Sequence, residues 1–360
     1  MNLEFRPKVS TLLLNDHWPL SWRSGGREFS LLLSRRGLWV NLVLLVLLAA
    51  TATAALGLGN VTLSPAEVWA ALWGEAPPLH RLVVQELRLQ RVLAGMATGA
   101  AFALAGCLMQ TLAGNRLATP GIIGIDNAAT AFAVASVVGL VTSLAPSAMS
   151  LVGAVTATVL VFGLAGGSGT RGYRFIIVGL GVGAIAGAVT QLMLSRVAID
   201  QANVAFPWTV GSLNARSPEA TALLGAGLLL GFMLALRLAR ALQVLQLSEP
   251  VAIGLGLNLK RVRGQCLALS VGLTGLAVAV AGPVGLVSLL GPEIARMLCR
   301  HRGVPLLASA LAGALMMLLA DLAGRLLLAP LEIPVGIVTA VVGSPYLLWM
   351  LLNPSFRSRP

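Results

Sequence analysis

Three carboxylates stand inside or at the edge of long apolar runs: Asp126, Glu293 and Asp321. A charge at the centre of a bilayer costs about 2.5–3.5 kcal/mol on insertion scales, so each must face protein or water. Each is therefore a candidate for handling a proton or a cation. Asp321 precedes Arg325 by four residues, and Glu293 precedes Arg296 by three in "GPEIAR". A helix brings side chains at those spacings together, so a local ion pair accounts for both acids. Asp126 has no near cation except Arg116, across the stretch "LAGNRLATPGIIGID". There Gly114 and Pro120 end one helix and start another, leaving "NRLATP" as a short polar turn. Such backbone at membrane depth is tolerated only where protein or a water-filled cavity covers it. The mouth of a pathway and an ordinary solvated loop both meet that condition.

Bond-breaking chemistry finds little support. His17, His80 and His301 lie in separate polar segments, and no nucleophile–base spacing stands out. No stretch fits the phosphate-binding pattern G-x-x-x-x-G-K-S/T. Cys107, Cys266 and Cys299 are far apart without metal-ligand spacing, so no metal site and no bound cofactor is expected in this chain.

The elements that must position the acids are membrane spans. The chain is 57% hydrophobic and only 11% charged, less than half the charged share of a typical soluble domain. Runs such as "LWVNLVLLVLLAATATAALGL" exceed the length a bilayer needs. Hydropathy and Gly/Pro punctuation place ten spans near 38–58, 91–113, 121–141, 147–166, 174–195, 219–240, 264–283, 285–299, 304–326 and 334–352. The sequence therefore reads as an all-α polytopic membrane protein. Residues 1–37 form a cytoplasmic leader, 38–353 the transmembrane domain with a loop at 241–263, and 354–360 a cytoplasmic tail. The leader is too long for a signal peptide despite Ala52-Thr53-Ala54. It reads equally as a surface-lying segment or a loosely ordered tail.

With both termini cytoplasmic, nineteen of the 25 basic residues fall inside and six outside: Arg81, Arg88, Arg91, Arg196, Arg216 and Arg325. That asymmetry is the positive-inside bias, and it explains the net charge of +12 without nucleic acid. "TGAAFALAG" at Thr98–Gly106 recurs as "TGLAVAVAG" at Thr274–Gly282, five spans later. An odd offset runs the copies in opposite directions, so spans 2–5 and 7–10 are candidates for an inverted repeat. Two Gly/Ala packing stripes would give the same match. In the long inner loop, Ser248-Glu249-Pro250 signals the start of a short amphipathic helix ending near Gly254–Asn258, suited to docking a partner or simply to connecting two spans. On the other side, "SPAEVWAALWG" reads as a capped helix with Trp69 and Trp73 on one face.

At these residues the chain resembles the iron–siderophore and vitamin B12 permeases of ABC importers, a FecCD-like family. "RLQRVLAGMATGAAFALAGCLMQTLAGNRLATPGIIGI", "AGPVGLVSLLGPEIAR" and "EIPVGIVTAVVGSPYLLWML" are similar to three of its motifs in the right order. The resemblance implies a type II importer fold with ten spans per subunit. It also implies a second permease subunit, cytoplasmic ATPase subunits that use ATP, and a periplasmic binding protein delivering the substrate. Arg88, Arg91 and Arg325 match outer arginines that pair with the binding protein. Asn115 and Leu117 match a cytoplasmic gate turn, with Arg116 between them, and Thr170 and Arg171 take the position of a second gate loop. Ala252, Gly254, Leu255 and Gly256 match the helix that couples to the ATPase. Arg116 and Gln90 stand where the family has proline, and Glu293 where it has histidine, departures that hint at one member of a heterodimeric pair.

The expected function is thus ATP-driven import of a ferric siderophore across the bacterial inner membrane, with cobalamin or haem as alternatives within the family. A proton-coupled secondary transporter using Asp126, Asp321 and Glu293 as a relay is the rival class. Vesicle uptake separates the two. A relay predicts that Asp126→Asn abolishes uptake driven by a pH gradient. An ABC permease predicts that removing Val251–Leu257 uncouples ATP hydrolysis and that charge reversal at Arg88 and Arg91 weakens binding-protein docking.

Overall fold

The computed structural model describes residues 17–24, 27–59, 61–140, 144–165, 173–214, 216–247, 249–300 and 303–352. Strands β1 (His17–Ser24) and β2 (Arg27–Ser34) pair as an antiparallel hairpin, with His17 opposite Ser34 and Ser24 opposite Arg27. The leader thus contains paired strands, which neither reading of it anticipated. The two-residue alternation of "HWPLSW" carries that signal.

Everything described after the hairpin is helical or connecting. α1 (Arg35–Gly57) starts three residues before the expected span, because Ser34 caps it by accepting from Gly37 N at 3.2 Å. α2 (Pro65–Leu72) is the capped helix read in the sequence, and its cap is a capping box: the Ser64 and Glu67 side chains each accept from the other's backbone N–H. Those hydrogen bonds hold the Glu67 carboxyl below its usual range. Trp69 and Trp73 meet edge to face with centroids 5.9 Å apart, both exposed. The long α3 (Pro78–Ala113) includes a π-helical stretch at Leu82–Arg88. A 3-10 turn at Pro120–Ile123 leads into α4 (Ile125–Val137), then α5 (Pro146–Ala165), α6 (Tyr173–Arg196) and α7 (Ile199–Val210). α8 (Pro218–Leu245), α9 (Glu249–Gly254), α10 (Leu259–Ala281), α11 (Gly285–Cys299), α12 (Leu306–Leu326) and α13 (Val335–Leu352) complete the chain.

Each of the ten expected spans has its helix. Seven of these are long and apolar enough to cross a membrane: α1, α3, α5, α6, α8, α10 and α12. The other three, α4, α11 and α13, are shorter. The 13 residues of α4 rise about 20 Å against a hydrocarbon core of about 30 Å. The full crossing expected over 121–141 is therefore a 3-10 turn plus a short helix. Pro120 and Gly124 break the periodicity that hydropathy had averaged over. α7 was not foreseen either, since the sequence treated its residues as loop.

Burial decides which helices are central. Within its most apolar window α3 is 83% buried, against 17% for α8 and 22% for α6, whose apolar faces remain open. α3 packs against α10 at the centre, and each also packs on the second and third helix of the other half: α3 on α11 and α12, α10 on α4 and α5. α4 with α5 and α6 repeats α11 with α12 and α13. These neighbours are the ones an inverted repeat requires.

The contacts depend on absent side chains. A Cβ on Gly99 would lie 2.3 Å from Gly313 O, and one on Gly313 2.3 Å from Gly99 O. A Cβ on Gly106 would lie 1.7 Å from Ser288 O. Pro292 cannot donate the helical hydrogen bond to that carbonyl, which instead rests against the Gly106 backbone. Ser270 Oγ donates to Ala105 O at 2.8 Å and ties α10 to α3. Gly106→Val should therefore separate α3 from α11. We expect loss of monodisperse protein on size-exclusion chromatography and a fall in thermal midpoint, whereas Gly181→Ala, which meets open space, should leave both unchanged.

Candidate functional site

At the C-terminal end of α3 the sequence turns on Gly114, which adopts φ 60° and lets its N–H cap Gln110 O. The Asn115 carboxamide accepts from Leu117 N at 2.9 Å, and Ala118 N donates to Asn115 O, so "NRLATP" is a tight, hydrogen-bonded turn with Asn115 and Leu117 exposed. Arg116 reaches from this turn to the buried Glu293 of α11, at 3.2 Å. Arg296 holds the other oxygen of Glu293 at 3.1 Å and also meets Gln110 Oε1. Gln110 Nε2 in turn donates to Leu289 O. The local pair expected of Glu293 is present, and Arg116 adds a second cation from 177 residues away. Gln110, a helix residue with no distinguishing signal in the sequence, ties Arg296 to the backbone of α11 at Leu289.

Asp126 does not meet Arg116. Its Oδ1 is buried without a hydrogen-bond partner. Asp126 lies in the first turn of α4, and its Oδ2 would be 3.8 Å from a Cβ on Gly285, the first residue of α11. The carboxylate thus sits in the first turn of α4 and close to the start of α11. Gly124, at φ 76°, makes the bend possible and presses on α6, where a side chain would strike Gly179 O at 2.7 Å. Beside Asp126 opens a cavity of about 410 Å³ lined by Thr119, Pro283, Gly285, Leu289 and Thr339.

At the opposite end of α3, Asp321 is the hub. Arg91 grips it with Nε and Nη2, both at 2.9 Å, while Arg325 approaches its other oxygen at 3.2 Å. Arg91 also pairs with Glu332 at 2.7 Å. The structure brings together all three arginines assigned to docking, yet each is engaged within the chain. Arg88 is buried, donating to Leu56 O and Val61 O at 2.7 Å, where it pins the connection between α1 and α2. Arg325 donates to Ala55 O at 3.1 Å. Glu332 carries no signal in the sequence, because nothing local to it is charged.

The long loop forms α9, six residues ending at Gly254 as expected; Ser248, its proposed cap, lies outside the described residues, as do Thr170 and Arg171. Ala252 is fully buried, while Val251, Ile253 and Leu255 are 47%, 59% and 65% exposed. Gly254 and Gly256 face open space. An apolar tip on a buried foot is a surface for a partner.

The chain matches the FecCD transport family over residues 44–353. It belongs to that family. It is 37% identical to the achromobactin transport system permease protein CbrC of Dickeya dadantii, over 94% of this chain and 97% of that one. It is 34% identical to the hemin transport system permease protein HmuU of Yersinia pestis, over 86% and 94%. An inward-facing metal-chelate type ABC transporter superposes with a TM-score of 0.76 at 26% identity, covering 88% of this chain and 99% of that one. The protein is a multi-pass ABC transporter permease, a transport subunit that works with ATPase and binding-protein partners.

Within this permease the two charge clusters are unequal in kind. Removing one partner from a buried ion pair costs roughly 3–5 kcal/mol. Asp321→Asn leaves Arg91 and Arg325 facing each other, so the thermal midpoint of the purified permease should drop sharply. Asp126→Asn removes no described ion pair and should change it by less than about 1 kcal/mol equivalent. Differential scanning fluorimetry on both variants checks the ranking.

Proposed function

We propose that the chain is the permease subunit of an ATP-driven importer carrying a ferric siderophore from the periplasm to the cytoplasm. The observation that carries this is the near end-to-end similarity to a permease named for achromobactin transport, together with an α9 whose apolar tip is free to meet a partner. The Arg88 end then faces the periplasm and the Asn115 end the cytoplasm, with both termini inside. The pathway runs between this subunit and a second permease, either a copy or a relative.

The gate turn Asn115–Leu117 closes the inner side. Its own chemistry adds something to the closure. Arg116 is drawn to a carboxylate in a region of low dielectric, so opening must either stretch that pair or carry α11 along with the turn. Thr170 and Arg171 supply the second gate loop. Outside, Arg88 and Arg325 hold the surface in shape through backbone carbonyls, and Arg91 offers its edge to the binding protein beside Glu332. In α9, Ala252 anchors while Ile253 and Leu255 insert into the ATPase. A proton relay would need its acids free. Two of the three, Glu293 and Asp321, are each held by two arginines.

Reconstitution with the ATPase and binding protein tests this. ATP-dependent uptake of radio-iron as a siderophore complex is expected, and Leu255→Asp should lower uptake per ATP hydrolysed by about tenfold or more. Elution of L255D as the intact permease confirms that coupling, not folding, is lost. Uptake of haem but of no ferric siderophore would overturn the substrate assignment.

A further inference from the structure

Between α7 and α8 the chain makes a loop that neither the gate nor the coupling surface uses. Gly211, at φ 84°, turns it, and two backbone bonds fix it: Ser212 N donates to Ala281 O at 2.7 Å, and Gly336 N donates to Gly211 O at 3.1 Å. The loop is thus nailed to the end of α10 and the start of α13. From this rigid base rises Arg216. Its Nε donates to Ser212 O at 2.8 Å, and its guanidinium carbon lies 4.1 Å from the centre of the Trp208 ring.

These contacts use one N–H and one face of the guanidinium, which carries five N–H donors in all. Nη2 is buried and has no acceptor. No described carboxylate pairs with Arg216, whereas Arg91 nearby is already held by Asp321 and Glu332. Burial lowers Arg216 to about 10, so it is still a cation at neutral pH. The side chain opens onto a cavity of about 500 Å³ at the Arg91 end of the bundle, whose walls include Trp208, Asn214, Ser147, Ile333 and Glu332. That volume is within the range of small-molecule pockets.

We infer that Arg216 is the anchor of a carboxylate-binding pocket at the outer mouth of the permease, which takes an acidic arm of the iron chelate as it leaves the binding protein. The inference rests on the ferric-chelate reading above and names a substrate class for it, chelates with free carboxylate groups. The Nη2 donor, left without an acceptor, suits a charge-assisted hydrogen bond to a carboxylate, the anion a planar guanidinium matches best. Trp208 holds the guanidinium from one side, and Asn214 and Ser147 supply further polar groups. Glu332, another residue of the wall, is already paired with Arg91, which leaves Arg216 as the lining cation with no described carboxylate partner. The recess within the molecule favours a small ligand over an acidic side chain of the docked binding protein.

The test uses the full-length permease with its partner subunit in nanodiscs, titrated with citrate, tricarballylate and sulfate by isothermal titration calorimetry. Citrate and tricarballylate should bind, sulfate should compete weakly, and Arg216→Gln should weaken citrate by about tenfold. Arg216→Lys, which keeps the charge but not the planar guanidinium, should fall between, and monodisperse elution of each variant guards against a general loss of structure. Absence of citrate binding in the wild type, or equal binding by R216Q, overturns the proposal. So does an R216Q whose only defect is weaker docking of the binding protein, for that would make the occupant a protein. Transport is measured separately on the complete complex. Arg216-dependent citrate binding without uptake of any ferric chelate would sink the ferric-chelate reading and leave the carboxylate site standing. Uptake of ferric chelates without citrate binding would do the reverse.

Discussion

Lipid tails are as apolar as leucine, so helices in a bilayer gain nothing from hiding their hydrophobic sides from one another, and close van der Waals contact must hold them instead. In this permease the contact is made backbone to backbone. Gly99 and Gly313 leave each other's carbonyls room, and Gly106 accepts the Ser288 carbonyl that Pro292 has released from helical bonding. α3 can have so many neighbours because much of its surface carries alanine and glycine. The placement of every charged group follows from that. Asp321 and Arg91 meet because α12 lies directly against α3, and Arg116 reaches Glu293 because α11 does so at the other end.

The ion pairs gather at the two ends of this central assembly, in different forms. At the Arg88 end the arginines are structural ties, fastening α1, α3 and α12 through carbonyls and Asp321. At the Asn115 end a single acid is shared by two arginines from different elements, so motion of the turn changes the electrostatics of the buried site. Asp126 lies between, in no described ion pair. The two short helices whose first turns lie beside it, α4 and α11, are counterparts in the repeat.

Much of this was legible in the sequence. Hydropathy located a helix for each of the ten expected spans, Ser64 announced α2, Gly114 and Pro120 bounded the turn between α3 and α4, and "TGAAFALAG" with "TGLAVAVAG" marked the repeat. The i,i+4 pair of Asp321 with Arg325 and the i,i+3 pair of Glu293 with Arg296 were readable from spacing alone. The failures have a common cause. α4 was drawn too long because an averaged hydropathy does not register one proline and one positive-φ glycine. The leader's paired strands and α7 were missed because short polar-flanked segments carry weak periodicity.

The sequence by itself determined what is local: where helices start and stop, which residues lie one turn apart, which segments are too apolar for water. Such features depend on neighbours within a few residues, and no partner from elsewhere is needed to specify them. Only the tertiary structure decided which cations Glu293 and Asp321 meet across the bundle, that the arginines expected to dock are engaged within the chain, that Glu332 and Gln110 join these clusters, and that Arg216 keeps an unpartnered Nη2 beside Trp208. The ion pairs depend on residues hundreds of positions apart, brought within about 3 Å by glycine-lined helix contacts whose register no periodicity in the sequence encodes.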